Sequence, residues 1–119
     1  MLEMNREQWG TVMRYFQACW VKFSVEDLAL ELSRDITFTG RDKVLVGGKQ
    51  EVLDLFQEKF FTAVNIFDTV IHNFEVKSWH GFGIVVNYKF QQGPLMHISK
   101  MQEIFTFDDN NLIDSIERN

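Results

Sequence analysis

The chain has 119 residues, 45% of them hydrophobic and 24% charged, with a net charge of −5. That length suits one domain over residues 1–119 with a sizeable core, and an acidic balance with no Lys/Arg cluster argues against a nucleic-acid partner. A single cysteine excludes an internal disulfide, and no metal-type cysteine spacing exists. The charged N-terminus lacks an apolar signal core, and no apolar run is long enough to span a membrane, so a cytoplasmic location is the default expectation. Twelve Phe and three Trp against one Pro imply a ring-lined core or cavity.

The first element reads as a helix. Trp9, Val12, Met13, Phe16, Trp20 and Phe23 recur at spacings of three and four. Asn5 can cap its start, with Glu7 favourable in the first turn. Ser24-Val25-Glu26-Asp27 resembles a capping box and opens a second, short helix. Asp35 to Thr39 is β-branched and reads as a strand. Gly40 and Arg41-Asp42-Lys43 make a turn, and Gly47-Gly48 interrupts the chain before a third helix. That helix has Val52, Leu55, Phe56, Phe60 and Phe61 on its apolar face. Gly47-Gly48-Lys49 lacks the full spacing of a phosphate-binding loop and is a turn and helix start.

Alternation of apolar and polar residues then predicts strands over 72–79, 82–90, 96–107 and 112–117, with turns at Gln91-Gln92-Gly93-Pro94 and Asp108-Asp109-Asn110-Asn111. The order is helix, helix, strand, helix, then antiparallel strands, an α+β pattern with helices on one face of a curved sheet. In the strand through residue 107, Met101, Glu103, Phe105 and Phe107 share a face. A carboxylate among apolar side chains costs free energy unless it is hydrogen-bonded, protonated or beside water. Glu103 therefore points to a sheet whose inner face lines a pocket.

Three local patterns carry a family resemblance. They are Arg14-Tyr15-Phe16-Gln17-Ala18 followed by the Asp27-to-Asp35 segment and Ile36-Thr37-Phe38; Gly48-Lys49-Gln50-Glu51-Val52 at the third helix; and Glu103-Ile104-Phe105-Thr106-Phe107-Asp108-Asp109 with Asn110-Asn111-Leu112-Ile113 after it. In order and spacing the chain resembles the nuclear transport factor 2-like superfamily, which includes ketosteroid isomerases and SnoaL-type polyketide cyclases. The resemblance implies a cone: a mostly antiparallel curved sheet wrapped around about three helices, with an apolar cavity between them and an outer sheet face that often forms a homodimer. It implies a small apolar, oxygen-bearing ligand and either acid–base isomerisation, cyclisation or dehydration, or a non-catalytic binding or assembly role.

Ketosteroid isomerases use a helix Tyr and a protonated strand Asp as an oxyanion hole, with a second Asp as base. By position, Tyr15 matches the Tyr and Glu103 the strand acid. The base position falls near Thr39-Gly40, where neither side chain accepts a proton, and Asp42 sits in the adjoining turn. Glu103 has two readings: a buried acid with a raised pKa donating to a ligand oxygen, or a structural carboxylate bonded to Tyr15 or a backbone group. Tyr15 is likewise a donor to a ligand or a core tyrosine with its hydroxyl satisfied. Parity sets Leu112, Asp114 and Ile116 on one face, which would bring a second carboxylate into the cavity; a bulge would turn it away.

The cavity wall is expected to take Phe16, Cys19 and Phe60 from the helices. From the strands it takes Phe74, Val86, Tyr88, Met101, Phe105 and Ile116. Cys19, with no basic neighbour, is expected to be an inert buried thiol. His97 shares the parity of Glu103 but lies about 20 Å along the strand, at the rim. His80 belongs to a solvated turn, and His72 does not converge with either, so no metal site and no cofactor are expected. Outward residues such as Ile98, Lys100, Gln102, Val85, Asn87 and Lys89 form a mixed face suited to a twofold homodimer contact.

Overall fold

A computed structural model describes residues 5–62, 69–79, 83–92 and 98–119. Helix α1 spans Arg6–Gln17, and Asn5 caps it by accepting from the backbone N–H groups of Glu7 and Gln8. A π-helical turn, Ala18–Lys22, continues it until Phe23 takes a left-handed conformation (φ 51) and stops it. Helix α2 covers Val25–Ala29, with the Ser24 hydroxyl accepting from the Asp27 N–H, the geometry of the capping pattern. Helix α3 covers Lys49–Leu55 and also ends in a π-helical turn, Phe56–Phe61. Gly48 precedes it at φ 93, a conformation that suits glycine.

The strands are β1 Leu32–Thr39, β2 Leu45–Gly47, β3 Thr69–Trp79, β4 Gly83–Gln92, β5 Ser99–Phe107 and β6 Ile113–Arg118. They form one curved sheet in the order β2-β1-β6-β5-β4-β3. All pairs are antiparallel except β1 with β6, which run parallel. The parallel pair is a crossover: the chain leaves β1, builds β2, α3 and three further strands, and returns beside it. This places α1 and α3 against one sheet face and closes a core of Val12, Leu28, Ile36, Val52, Ile84 and Ile113, all nearly or fully buried.

Several boundaries differ from the sequence reading. Strand β1 starts at Leu32 rather than Asp35, because Leu32 pairs with Ile113. Strand β2 was not expected, and its three residues are recruited by pairing with Thr37–Thr39. Strand β6 runs to Arg118, one residue past the expected end. Gly83 opens β4 where an added Cβ would stand 1.8 Å from the Phe105 carbonyl oxygen, so only glycine lets the strands approach there. His80, Phe82, the Gly93-Pro94 turn, Met96 and His97 lie outside the described residues, as does the side chain of His72. No helix among the described residues is long and apolar enough to cross a membrane.

Candidate functional site

Glu103 sits at the centre of a sealed polar cluster. It is 0% exposed. Three elements surround it: α1 supplies Tyr15, β4 supplies Tyr88 and β6 supplies Arg118. The Tyr15 hydroxyl donates to Glu103 Oε2 at 2.7 Å, and the Tyr88 hydroxyl donates to Oε1. Arg118 faces Glu103 directly across the β5–β6 ladder, with Nε 3.5 Å from Oε2. Arg118 Nη2 also donates to the Tyr15 oxygen at 3.1 Å, so Tyr15 links the two charges. Both oxygens of the carboxylate are thus engaged by the chain itself. A buried charge pair of this kind is tolerable only because added hydrogen bonds offset its desolvation.

The electrostatics of the cluster follow from burial and charge. Burial raises Tyr15 well above its ordinary value of 10.0, with Arg118 opposing and Glu103 adding to the rise. Tyr88 is raised in the same way, by burial first and then by Glu103. For Arg118 burial pulls down, but the attraction of Glu103, then of Tyr15 and Tyr88, outweighs it and holds the guanidinium charged. Burial pushes the Cys19 thiol far above its ordinary 9.0, as an inert thiol requires.

The cavity lies on the other side of Arg118. It encloses about 420 Å³ between the π-helical turn after α1, the end of α3 with its own π-helical turn, the β1–β2 turn and the inner face of the sheet. Its rings are Trp20, Phe38, Phe56, Phe60, Phe61 and Phe90. Arg118, 5% exposed, lies 4.6 Å from the Phe60 ring centroid and 5.3 Å from those of Phe38 and Phe56. Stacked on rings, a guanidinium stays charged and keeps its edge for an acceptor. The exposed residues of the wall, Arg41, Asp42, Val44 and Lys59, mark the mouth beside the β1–β2 turn.

Of the nine residues expected in the wall, Cys19, Phe60 and Met101 line this cavity. Phe16, Val86, Phe105 and Ile116 are instead packed into the core. Phe16 meets Tyr15, Phe74, Tyr88 and Phe105 edge-on, with centroids 4.9–5.9 Å apart, so this end of the cone is filled by rings. Phe74 belongs to that ring cluster and is partly exposed, while Tyr88 is held by Glu103. Tyr15 and Glu103 are not part of the wall: they meet each other, not the open space.

Asp114 is turned away. The β5–β6 register slips between Thr106 and Phe107, so Ile113 and Ile116 both face inward and Asp114 is the extra residue of a bulge. Its carboxylate accepts from the Thr106 hydroxyl on the opposite face. The same slip sets Arg118 opposite Glu103. Arg118 was missed because the strand was ended at Glu117; continuing the Ile116 parity by two residues would have found it. Asp42, set aside as a turn residue, is in the cavity wall because β2 folds the turn back over it. Among the described residues no group of three or more His, Cys, Asp or Glu could hold a metal.

No family model matches the sequence, and no curated protein matches it. Solved structures do match the fold. A proposed ketosteroid isomerase from Kribbella flavida superposes with a TM-score of 0.75 at 14% identity, covering 94% of this chain and 76% of that one. A proposed polyketide cyclase from Sinorhizobium meliloti gives 0.73 at 17% identity, covering 92% and 94%. An NTF2-like protein of unknown function from Cytophaga hutchinsonii gives 0.68 at 11% identity, covering 99% and 93%. With a curved six-stranded sheet closed over its helices, the chain has the cone fold of the nuclear transport factor 2-like superfamily.

Proposed function

We propose that the chain binds a small apolar, oxygen-bearing molecule in the cavity of its cone. The observation that carries this reading is a space of about 420 Å³ walled by aromatic rings with one buried guanidinium at its inner end. That volume falls in the usual range of ligand pockets, and a mostly apolar wall with a few fixed polar groups is their usual chemistry. Tyr15 and Glu103 act here as positioning residues that hold Arg118 in place. The test is a thermal-shift screen with steroid-like and polyketide-like compounds on the native chain and on Val46→Trp, which fills the cavity from the short edge strand. A rise in Tm with the native chain that disappears in Val46→Trp is expected. No rise with any compound, or the same rise in both proteins, overturns the reading.

Acid–base catalysis on such a ligand has one specific observation behind it. Asp42 stands in the cavity wall with one oxygen taken by the Val44 N–H at 3.0 Å and the other free of any hydrogen bond among the described residues. It could accept a proton while Arg118 stabilises the developing oxyanion. Unchanged isomerisation, cyclisation or dehydration in Asp42→Asn would remove this reading and leave a binding protein. A homodimer through the outer sheet face is a separate proposal from that face's composition, and a monomeric mass by light scattering at micromolar concentration would remove it.

A further inference from the structure

The mouth and inner end of the cavity carry a charge that the rest of the chain does not share. Among the described residues Arg41, Lys59 and Arg118 are cationic wall residues and Asp42 is the one anionic wall residue, in a chain of net charge −5. Glu103 behind Arg118 offsets one further charge, which leaves the described residues of the region with a single positive charge in excess.

Arg118 and Trp20, at its inner end, carry side chains that only donate. Arg118 uses one Nη2 N–H on Tyr15 and turns its Nε toward Glu103 at 3.5 Å, so Nη1 is the guanidinium nitrogen with no partner among the described residues. Trp20 Nε1 is buried in the wall without a hydrogen-bond partner among the described residues. A buried donor left unpaired is costly, and an indole N–H can do nothing but donate. The polar end that fits here therefore accepts and does not donate, which disfavours alcohols and amines.

From this donor set and charge excess we infer that the ligand is a monoanionic carboxylic acid with an aromatic or aliphatic body. The body packs among Phe38, Phe56, Phe60 and Phe61. The carboxylate takes the free edge of the Arg118 guanidinium, a planar fork suited to two parallel hydrogen bonds, and the Trp20 N–H supplies a further donor. One negative charge neutralises the region. A dianion would leave charge uncompensated in a largely apolar space, and a neutral oxygen would leave the excess cation unmatched. This inference rests on the reading of the cavity as a binding site.

Calorimetric titration of the full chain with 2-naphthoate and with 2-acetonaphthone, its uncharged counterpart of similar shape, separates the two claims. Naphthoate is expected to bind roughly tenfold tighter or more, the scale of one charge-assisted hydrogen bond. That preference should shrink in Trp20→Phe, which keeps a ring and loses the N–H. It should vanish in the double variant Arg118→Met/Glu103→Gln, which removes both buried charges together. Equal or tighter binding of the ketone overturns the carboxylate and leaves the pocket standing. A carboxylate preference that persists in the double variant also overturns it. Binding of neither compound overturns the inference and the cavity reading together.

Discussion

The two ends of the cone use the same kind of residue and do opposite things. At the closed end, Phe16, Phe74, Tyr88 and Phe105 interlock edge-on, and both oxygens of Glu103 are engaged by tyrosines. At the open end, Phe38, Phe56 and Phe60 also pack ring on ring, with centroids 5.0–5.7 Å apart, yet they border empty space. The difference lies in the polar groups. The closed end satisfies its acid internally, whereas the open end keeps a Trp20 N–H that has no partner among the described residues. Arg118 belongs to both: one side is anchored by Glu103 and Tyr15, the other meets the cavity. On the proposed reading, a buried acid in an apolar face marks the support of a site, not its reacting group.

Breaking the shared residue should have the largest effect. Arg118→Ala leaves Glu103 buried and uncompensated, and a loss of about 3–5 kcal/mol in urea unfolding is expected. Arg118→Met/Glu103→Gln should lose clearly less than the sum of its two single changes, the sign of a coupled pair. Additive losses would mean that the two groups do not support each other. The ring clusters come next. Phe105→Ala in the closed end should cost about 3–5 kcal/mol, and Phe60→Ala roughly half that, because its ring already borders a void. Equal costs, measured by the same unfolding experiment, would mean that the cavity is closed in solution. Smaller again is the contrast between single hydrogen-bonding groups. Tyr15→Phe removes a donor to Glu103 and an acceptor for Arg118, at about 1–3 kcal/mol. Trp20→Phe removes an N–H that makes no hydrogen bond among the described residues, and should cost about 1 kcal/mol or less.

Much of this arrangement is legible in the chain. The stripe from Trp9 to Trp20, the Asn5 and Ser24 caps, and the Asp108–Asn111 turn depend on residues a few positions apart, so spacing reports them directly. The inward facing of Glu103 follows from strand parity, and its bond to Tyr15 was one of two readings available. What spacing does not report is register. The bulge at Asp114 is one extra residue in β6, and it decides that Asp114 leaves the inner face and that Arg118, rather than Glu117, meets Glu103. Nor does the sequence show which rings interlock and which leave a gap. Phe16 and Phe60 look alike on their helices, yet Phe16 meets Tyr88 on β4 and Phe105 on β5, while Phe60 borders the cavity.

Proton linkage gives the most direct access to the sealed cluster, because the chain has two tyrosines and both belong to it. Tyr15, Tyr88 and Cys19 all have values raised in the fold. A group raised in the folded state favours folding below its unfolded value and loses that contribution as pH climbs above it. Stability should therefore hold up to about pH 9, the ordinary value for the thiol, and fall as pH rises past 10.0, the ordinary value for tyrosine. Titrating phenolate absorbance alongside circular dichroism reads this in one experiment. The expected result is no phenolate in the folded protein at pH 10, with both tyrosines ionising only as the helical signal collapses. A reversible phenolate midpoint near pH 10 with the fold intact would show that water reaches the hydroxyls, and that Glu103 and Arg118 are not the sealed pair on which the site depends.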